Sequence, residues 1–329
     1  MKRMMAVAVL IPLLFSGCAS ESKRKVQPIV QPVVLAQAVQ IPEFKSDSVD
    51  VTYLQRSVAT SNVIAVVPIS GEVSEGDSNN ADMVEDVESV LRVAAEDYRV
   101  KAIVLKVNSP GGTVNASNLI WNDLMKFKRT GKPVIAFFNG TAASGAYYIS
   151  VAADKIIATP ETWTGSIGVI MQVADYSGKF KKDGIKVVTI KSGPHKDMLS
   201  PYKPAEKSDL EIMQRIINAS FDRFVQKVAD GRHMNESVVR ILADGRIYDA
   251  DQALKNGLID QVGYIEDSFE AAKDLANIKD ASLVLLENKT AAAPSIISIL
   301  KGRSSIESDH RGFPYSRTPE LYYLWTIDD

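Results

Sequence analysis

Residues 101–112, KAIVLKVNSPGG, decide the fold. The apolar, β-branched run from Ala102 to Val107 is too short for a helix and stops at a Ser-Pro-Gly-Gly turn. That is the pattern of a strand buried on both faces. Working outward, a similar run precedes it at Asn62–Ile69 (NVIAVVPI) and another follows at Pro133–Phe138. The segments between them change period. Over Ala81–Tyr98 the residues Met83, Val84, Val87, Val90, Leu91, Ala94 and Tyr98 share one helical face, and over Asn115–Arg129 the residues Leu119, Ile120, Leu124 and Phe127 do the same. Further strands are expected at Lys155–Ala158, Lys186–Ile190 and Ser282–Leu286. Further helices are expected from Ser144 to Ala153 and over Glu206–Val228, Val238–Ala243 and Ala250–Asn256, the last stopped by Gly257 as its C-cap before a strand. Strands alternating with helices predict an α/β fold with a mainly parallel sheet and helices packed on it.

The two ends read differently from the middle. Lys2 and Arg3 followed by the apolar Met4–Phe15 and the small residues Ser16-Gly17 form a secretory signal over residues 1–17. The run is shorter than the about 20 residues that a membrane span needs. Phe15-Ser16-Gly17-Cys18 resembles a bacterial lipobox, which makes Cys18, the chain's single cysteine, a lipidation site. With no second cysteine the fold holds no internal disulfide. Residues 18–60 read as a flexible tether, aperiodic and rich in Gln, Val and Pro. Residues 61–287 are the folded domain, about 225 residues and enough for one sizeable core. Residues 288–329 are a polar C-terminal tail that carries an aromatic patch, Tyr322-Tyr323-Leu324-Trp325. Lys and Arg number 38 against 40 Asp and Glu, interspersed and with no basic stripe, so nucleic acid is not an expected partner.

Ser144 lies in TAASGAYY (141–148), among residues with almost no side-chain bulk, where a substrate carbonyl has room to approach a hydroxyl. It also stands where a strand gives way to a helix, and there a serine can serve simply as N-cap. The amides of a helix start and of a Gly111-Gly112 turn are suited to an oxyanion. IKSGPHKDMLS (190–200) supplies a lysine base, Lys191 or Lys196, between which spacing does not choose. A base lysine must be neutral near pH 7, about 3 units below its model value. The three histidines, His195, His233 and His310, fall in no metal-binding spacing, so no metal is expected. No phosphate-binding GxxxxGK[ST] is present.

Together SPGG, TAASGAYYIS, TGSIGV (164–169), IKSGPHKD and DGRIYDADQALKNGLID (244–260), in this order between Asn62 and Leu286, resemble the signal peptide peptidase A family. The resemblance implies a crotonase/ClpP-like spiral of ββα units. It also implies a serine endopeptidase of the bacterial cell envelope, lipid-anchored on the periplasmic face, that cuts hydrophobic peptides such as signal-peptide remnants. In that reading Ser144 is the nucleophile, Lys196 the base, Ser166 the residue that orients the lysine, and Gly111 with Gly112 the oxyanion hole. No cofactor is implied, and the family's rings imply a homo-oligomer. One departure stands at Ala146, where the family segment has a second glycine. Two rivals share the fold: an inactive envelope scaffold, and a crotonase-type acyl-CoA enzyme, which secretion and the lack of paired carboxylates disfavour. The aromatic tail is expected to pack on a neighbouring subunit or to enter the peptidase groove as a substrate mimic.

Overall fold

The computed structural model describes residues 43–76, 82–289 and 322–324. The signal segment, Cys18 and the first part of the expected tether lie outside the described residues. In chain order the elements are β1 (Val49–Gln55), β2 (Val63–Ser70), α1 (Met83–Glu96), β3 (Val100–Ser109), β4 (Gly111–Thr113), α2 (Val114–Lys128), β5 (Val134–Ala143), α3 (Gly145–Ser150), β6 (Lys155–Ala158) and β7 (Trp163–Gly165). They continue with α4 (Ser177–Lys182), α5 (Lys207–Arg232), α6 (Glu236–Leu242), β8 (Ile247–Asp249), α7 (Ala250–Lys255), β9 (Gln261–Val262), α8 (Ile265–Leu275), β10 (Ser282–Asn288) and β11 (Tyr322–Leu324).

The main sheet runs β1-β10-β2-β3-β5-β6-β9. Every neighbouring pair from β10 to β9 is parallel and β1 lies antiparallel at the edge, while off this path β7 pairs parallel with β5 and antiparallel with β8. Both faces are buried, which is why the strands read as unbroken apolar runs. Side chains alternate across a strand. Val63, Ala65, Val67 and Ile69 of β2 therefore join Leu91 of α1, Ile120 and Leu124 of α2 and Phe224 of α5, while Ile64 and Val66 join Val104, Ile135 and Phe269 of α8. Each such buried aliphatic contributes about 1.5–3 kcal/mol.

Three expectations are corrected. The tether does not run to residue 60: Phe44 is buried, and β1 pairs with β10 from Val49 to Gln55, its Val49, Val51 and Tyr53 turned to the core. The polar residues between them hid a short period-2 strand. The tail does not begin at 288, since Asn288 is the last residue of β10 and is buried. Lys186–Ile190 is not a strand. Its alternating apolar residues find no partner strand among the described residues, and Ile190 is 97% exposed. The helix α8, with a short apolar face of Phe269, Ala271 and Ala272, has no counterpart among the sequence expectations.

Helix α5 closes on the C-terminal end of α3 at Gly231, where an added Cβ would stand 2.1 Å from the Val151 carbonyl oxygen. Replacing a helical glycine by alanine normally gains up to about 1 kcal/mol. Overpacking against backbone costs about 1–3 kcal/mol. Gly231→Ala is therefore expected to lower the midpoint of urea unfolding with its slope unchanged; a raised midpoint would show that α5 is free to shift.

Candidate active site

The site is built at the end of β5. This strand pairs with β6 through Phe138, turns at the exposed Asn139-Gly140, then pairs with β7 from Thr141 to Ala143. Gly140 has a φ of 113°, and a Cβ there would press on Asn108 Oδ1 at 2.9 Å. The same Oδ1 accepts the Thr141 amide and holds the bend.

Ser144 follows at once with φ 54° and ψ −116°, a backbone conformation costly for any residue with a Cβ. Its amide donates to the Gly165 carbonyl at 2.8 Å, and its carbonyl accepts from Tyr148 to start α3. Its side chain makes no capping hydrogen bond, so it does not serve as the N-cap a serine here would otherwise be. The six residues of α3 are all buried, which anchors the elbow. Ala146, the departure from the family segment, has its methyl in the core and 0% exposure.

Ser166 lies beside it. Ala143 and Gly165 are register partners on parallel strands, so Ser144 and Ser166 each come next after a paired residue. Ser166 also has a positive φ, 48°, and its amide donates to the Arg246 carbonyl. Gly165 admits no side chain, since a Cβ would stand 2.6 Å from the Tyr248 ring.

Gly111 and Gly112 arrive from the other side. Gly111 has φ 100°, and its amide donates to Ser109 Oγ at 3.1 Å. Gly112 lies flat on Val73, whose carbonyl oxygen a Cβ would meet at 1.8 Å. Strand β11 is hydrogen-bonded to β4, with Tyr323 opposite Gly112 and Leu324 opposite Gly111. On its far side Tyr322 exchanges two backbone hydrogen bonds with Ile170, at 3.0 and 3.1 Å. A Cβ on Gly111 would stand 2.1 Å from the Tyr323 carbonyl oxygen, and one on Gly145 would stand 3.0 Å from it. Two glycines, Gly111 and Gly145, thus wall that carbonyl next to Ser144. The described residues of the aromatic tail form an extended segment lying between two backbone edges.

The Tyr323 ring is buried, stacked on Tyr148 at 5.1 Å and tilted against Phe224 at 4.6 Å. Its hydroxyl donates to the Ser220 carbonyl of α5, and that of Tyr148 donates to Asn118 Oδ1. Sequence reasoning missed this pocket, although Tyr148 and Phe224 lay within stretches it had marked for other reasons.

Lys196 is not brought to Ser144. It is exposed in a turn over 192–199, and no hydrogen bond or ion pair among the described residues joins it to Ser144 or Ser166. Its rival Lys191 is engaged: the ammonium donates to the Pro194 carbonyl and pairs with Asp197 at 2.6 Å. Lys203 pairs with Asp197 at 3.0 Å and with Glu206 at 2.8 Å. These two ammonium groups hold the Asp197 carboxyl down at about 2.

The sequence profile of peptidase family S49 matches residues 126–279, and that of Clp proteases matches residues 56–165. A protein of Enterococcus faecium named for signal peptide peptidase SppA is 42% identical over 246 residues, 71% of each chain. A Synechocystis protein named as a protease is 32% identical over 252 residues, 76% of this chain and 87% of that one. Protease 4 of Salmonella typhi is 32% identical over 250 residues, which span 76% of this chain but 40% of its own. Among solved structures, a ClpP1 variant of Listeria monocytogenes aligns at TM-score 0.41 and 18% identity, covering 63% of this chain and 94% of that one. The chain belongs to peptidase family S49. It is a peptidase with an α/β fold related to the Clp protease and crotonase group.

Burial pushes the Tyr148 hydroxyl up to about 12 and raises those of Tyr147 and Tyr323 as well. An unfolded tyrosine ionises near 10. A raised folded value favours the native state below pH 10, and that contribution is lost as pH rises towards 12. The urea midpoint is therefore expected to fall above pH 10, and to fall less in Tyr148→Phe; parallel curves for the two proteins would contradict it.

Proposed function

We propose that the chain is an envelope-anchored serine endopeptidase in which Ser144 is the nucleophile and Lys196 the base, acting on extended hydrophobic peptides. The observation that carries this reading is the strained serine elbow set beside a glycine cradle that already holds an extended segment in the manner of β-strand addition. In the reaction Lys196 takes the proton of the Ser144 hydroxyl as Oγ bonds to the peptide carbonyl carbon. Backbone amides of the glycine cradle receive the oxyanion. The C–N bond then breaks, with the proton passed from Lys196 to the leaving amine. Water, deprotonated by the same lysine, releases the acid and restores Ser144. Ser166, neighbour to Ser144, orients the lysine.

A base lysine must not be neutralised by a carboxylate, because an ion pair would hold it protonated. Lys191 and Lys203 take up Asp197, and Lys196 has no acidic partner among the described residues, which supports Lys196 over Lys191. Its exposure, next to the exposed Ile185, Val188 and Ile190, supports assembly of the dyad between copies of the chain, Lys196 of one meeting Ser144 of the next. The apolar signal and Cys18 support an anchor on the envelope. The Tyr323 pocket supports an aromatic or large apolar residue at the matching substrate position, and the tail acts there as a self-inhibitor.

Mixing inactive Ser144→Ala and Lys196→Ala subunits tests the assembly. If the dyad is shared, co-refolded oligomers regain roughly a quarter of wild-type cleavage of a fluorogenic hydrophobic peptide. If both groups belong to one subunit, every site keeps a defect and nothing returns. Full cleavage by Ser144→Ala would point to another mechanism, and an inert wild-type protein that is folded and assembled would favour the scaffold. Removing residues 322–329 is expected to raise kcat/KM several-fold through a lower KM; an unchanged KM would remove the tail from the groove.

A further inference from the structure

We infer that His195 and Asp209 form a positioning pair for Lys196, an inference that rests on the reading of Lys196 as the base. Asp209 is in the first turn of α5, and its carboxylate has 0% exposure. Oδ1 shares a 2.6 Å hydrogen bond with His195 Nδ1. Oδ2 has no hydrogen bond, and the Lys203 ammonium stands 3.9 Å from it. A buried carboxylate half satisfied in this way costs stability, and apolar side chains in place of it and its partner together are commonly neutral or better. Packing alone therefore does not account for Asp209.

Its partner does. His195 directly precedes Lys196, and Asp197 directly follows it. The turn that carries them belongs to no helix or sheet, and its backbone is held by i to i+3 hydrogen bonds of 3.1–3.3 Å at Lys196, Met198 and Ser200. Side chains supply the remaining constraint. His195 is pinned to α5 through Asp209. Asp197 is pinned by Lys191 and Lys203, and Leu199 is buried. Lys196, between two anchored residues, is left exposed and unpaired among the described residues. Helix α5 is itself fixed against α3 through Phe224, Val225 and Val228, so the pair ties the turn that carries the base to the packed core of its own domain. The charged groups around the pair are Lys203 and Glu206 ahead of α5, and Lys191 and Asp197 on the turn.

The test uses the full-length, assembled protein. In His195→Ala, kcat is expected to fall about tenfold or more with KM changed by less than about twofold. His195→Asn, whose side-chain amide can donate from nearly the Nδ1 position, should recover most of the loss. Asp209→Ala should match His195→Ala, and the double variant should be no worse than either. A kcat in His195→Ala within twofold of wild type, or a loss that only follows disassembly by light scattering and is equal for Ala and Asn, overturns the pair. Wild-type activity in Lys196→Ala would instead overturn the base assignment and leaves the two failures distinct.

Discussion

The site depends on the backbone of Ser144. A φ of 54° at a residue with a side chain costs about 1–3 kcal/mol, and it persists only where the surroundings leave no other course. Here the Gly165 carbonyl takes the serine amide, the Tyr148 amide takes the serine carbonyl, and a wholly buried helix follows. Burial of a single aromatic such as Tyr147 is worth about as much as the strain. The close-packed interior cannot relax by small steps, so the elbow is held. The same elbow that strains the chain turns the serine out of its capping role.

Around that point, backbone replaces side chain. Gly111, Gly112, Gly145 and Gly165 each stand where a Cβ would strike a neighbour at between 1.8 and 2.6 Å. Chains can therefore approach within hydrogen-bonding distance, and an extended segment can be clasped along both edges, by β4 and by Ile170. Backbone pairing is indifferent to sequence, and what is particular to the clasped segment is the Tyr323 side chain, set among Tyr148, Phe224 and the Ser220 carbonyl.

The segment that carries Lys196, the proposed base, is ordered on the opposite principle. The turn around Lys196 has little apolar burial and is ordered by ion pairs and one buried carboxylate. Such a segment can hold an ammonium clear of its own domain, which a packed strand could not do for a single residue. Its apolar neighbour, 185–190, is left without a strand partner among the described residues.

Much of this was legible in the chain. The buried strands and the stripes of α1, α2 and α5 were readable because burial on one face or two imposes a period on the residues themselves. Ser144 and the Gly-Gly turn were readable because a crowded backbone tolerates few side chains, whereas Ser166 came only with the family resemblance. The strand β1 and the helix α8 were not, since their apolar faces are only two or three residues long. The period-2 pattern of Lys186–Ile190 read as a strand and is none, because a strand requires a partner that periodicity does not supply. By itself the sequence determined the sheet, the elbow and the family of the peptidase, all of which follow from local pattern. Only the tertiary structure decided that the tail lies on β4, that Lys191 is paired while Lys196 is not, and that Asp209 meets His195. Those are contacts between residues distant in the chain, or choices among equivalent side chains, and their energies depend on which groups the folded backbone brings within hydrogen-bonding reach.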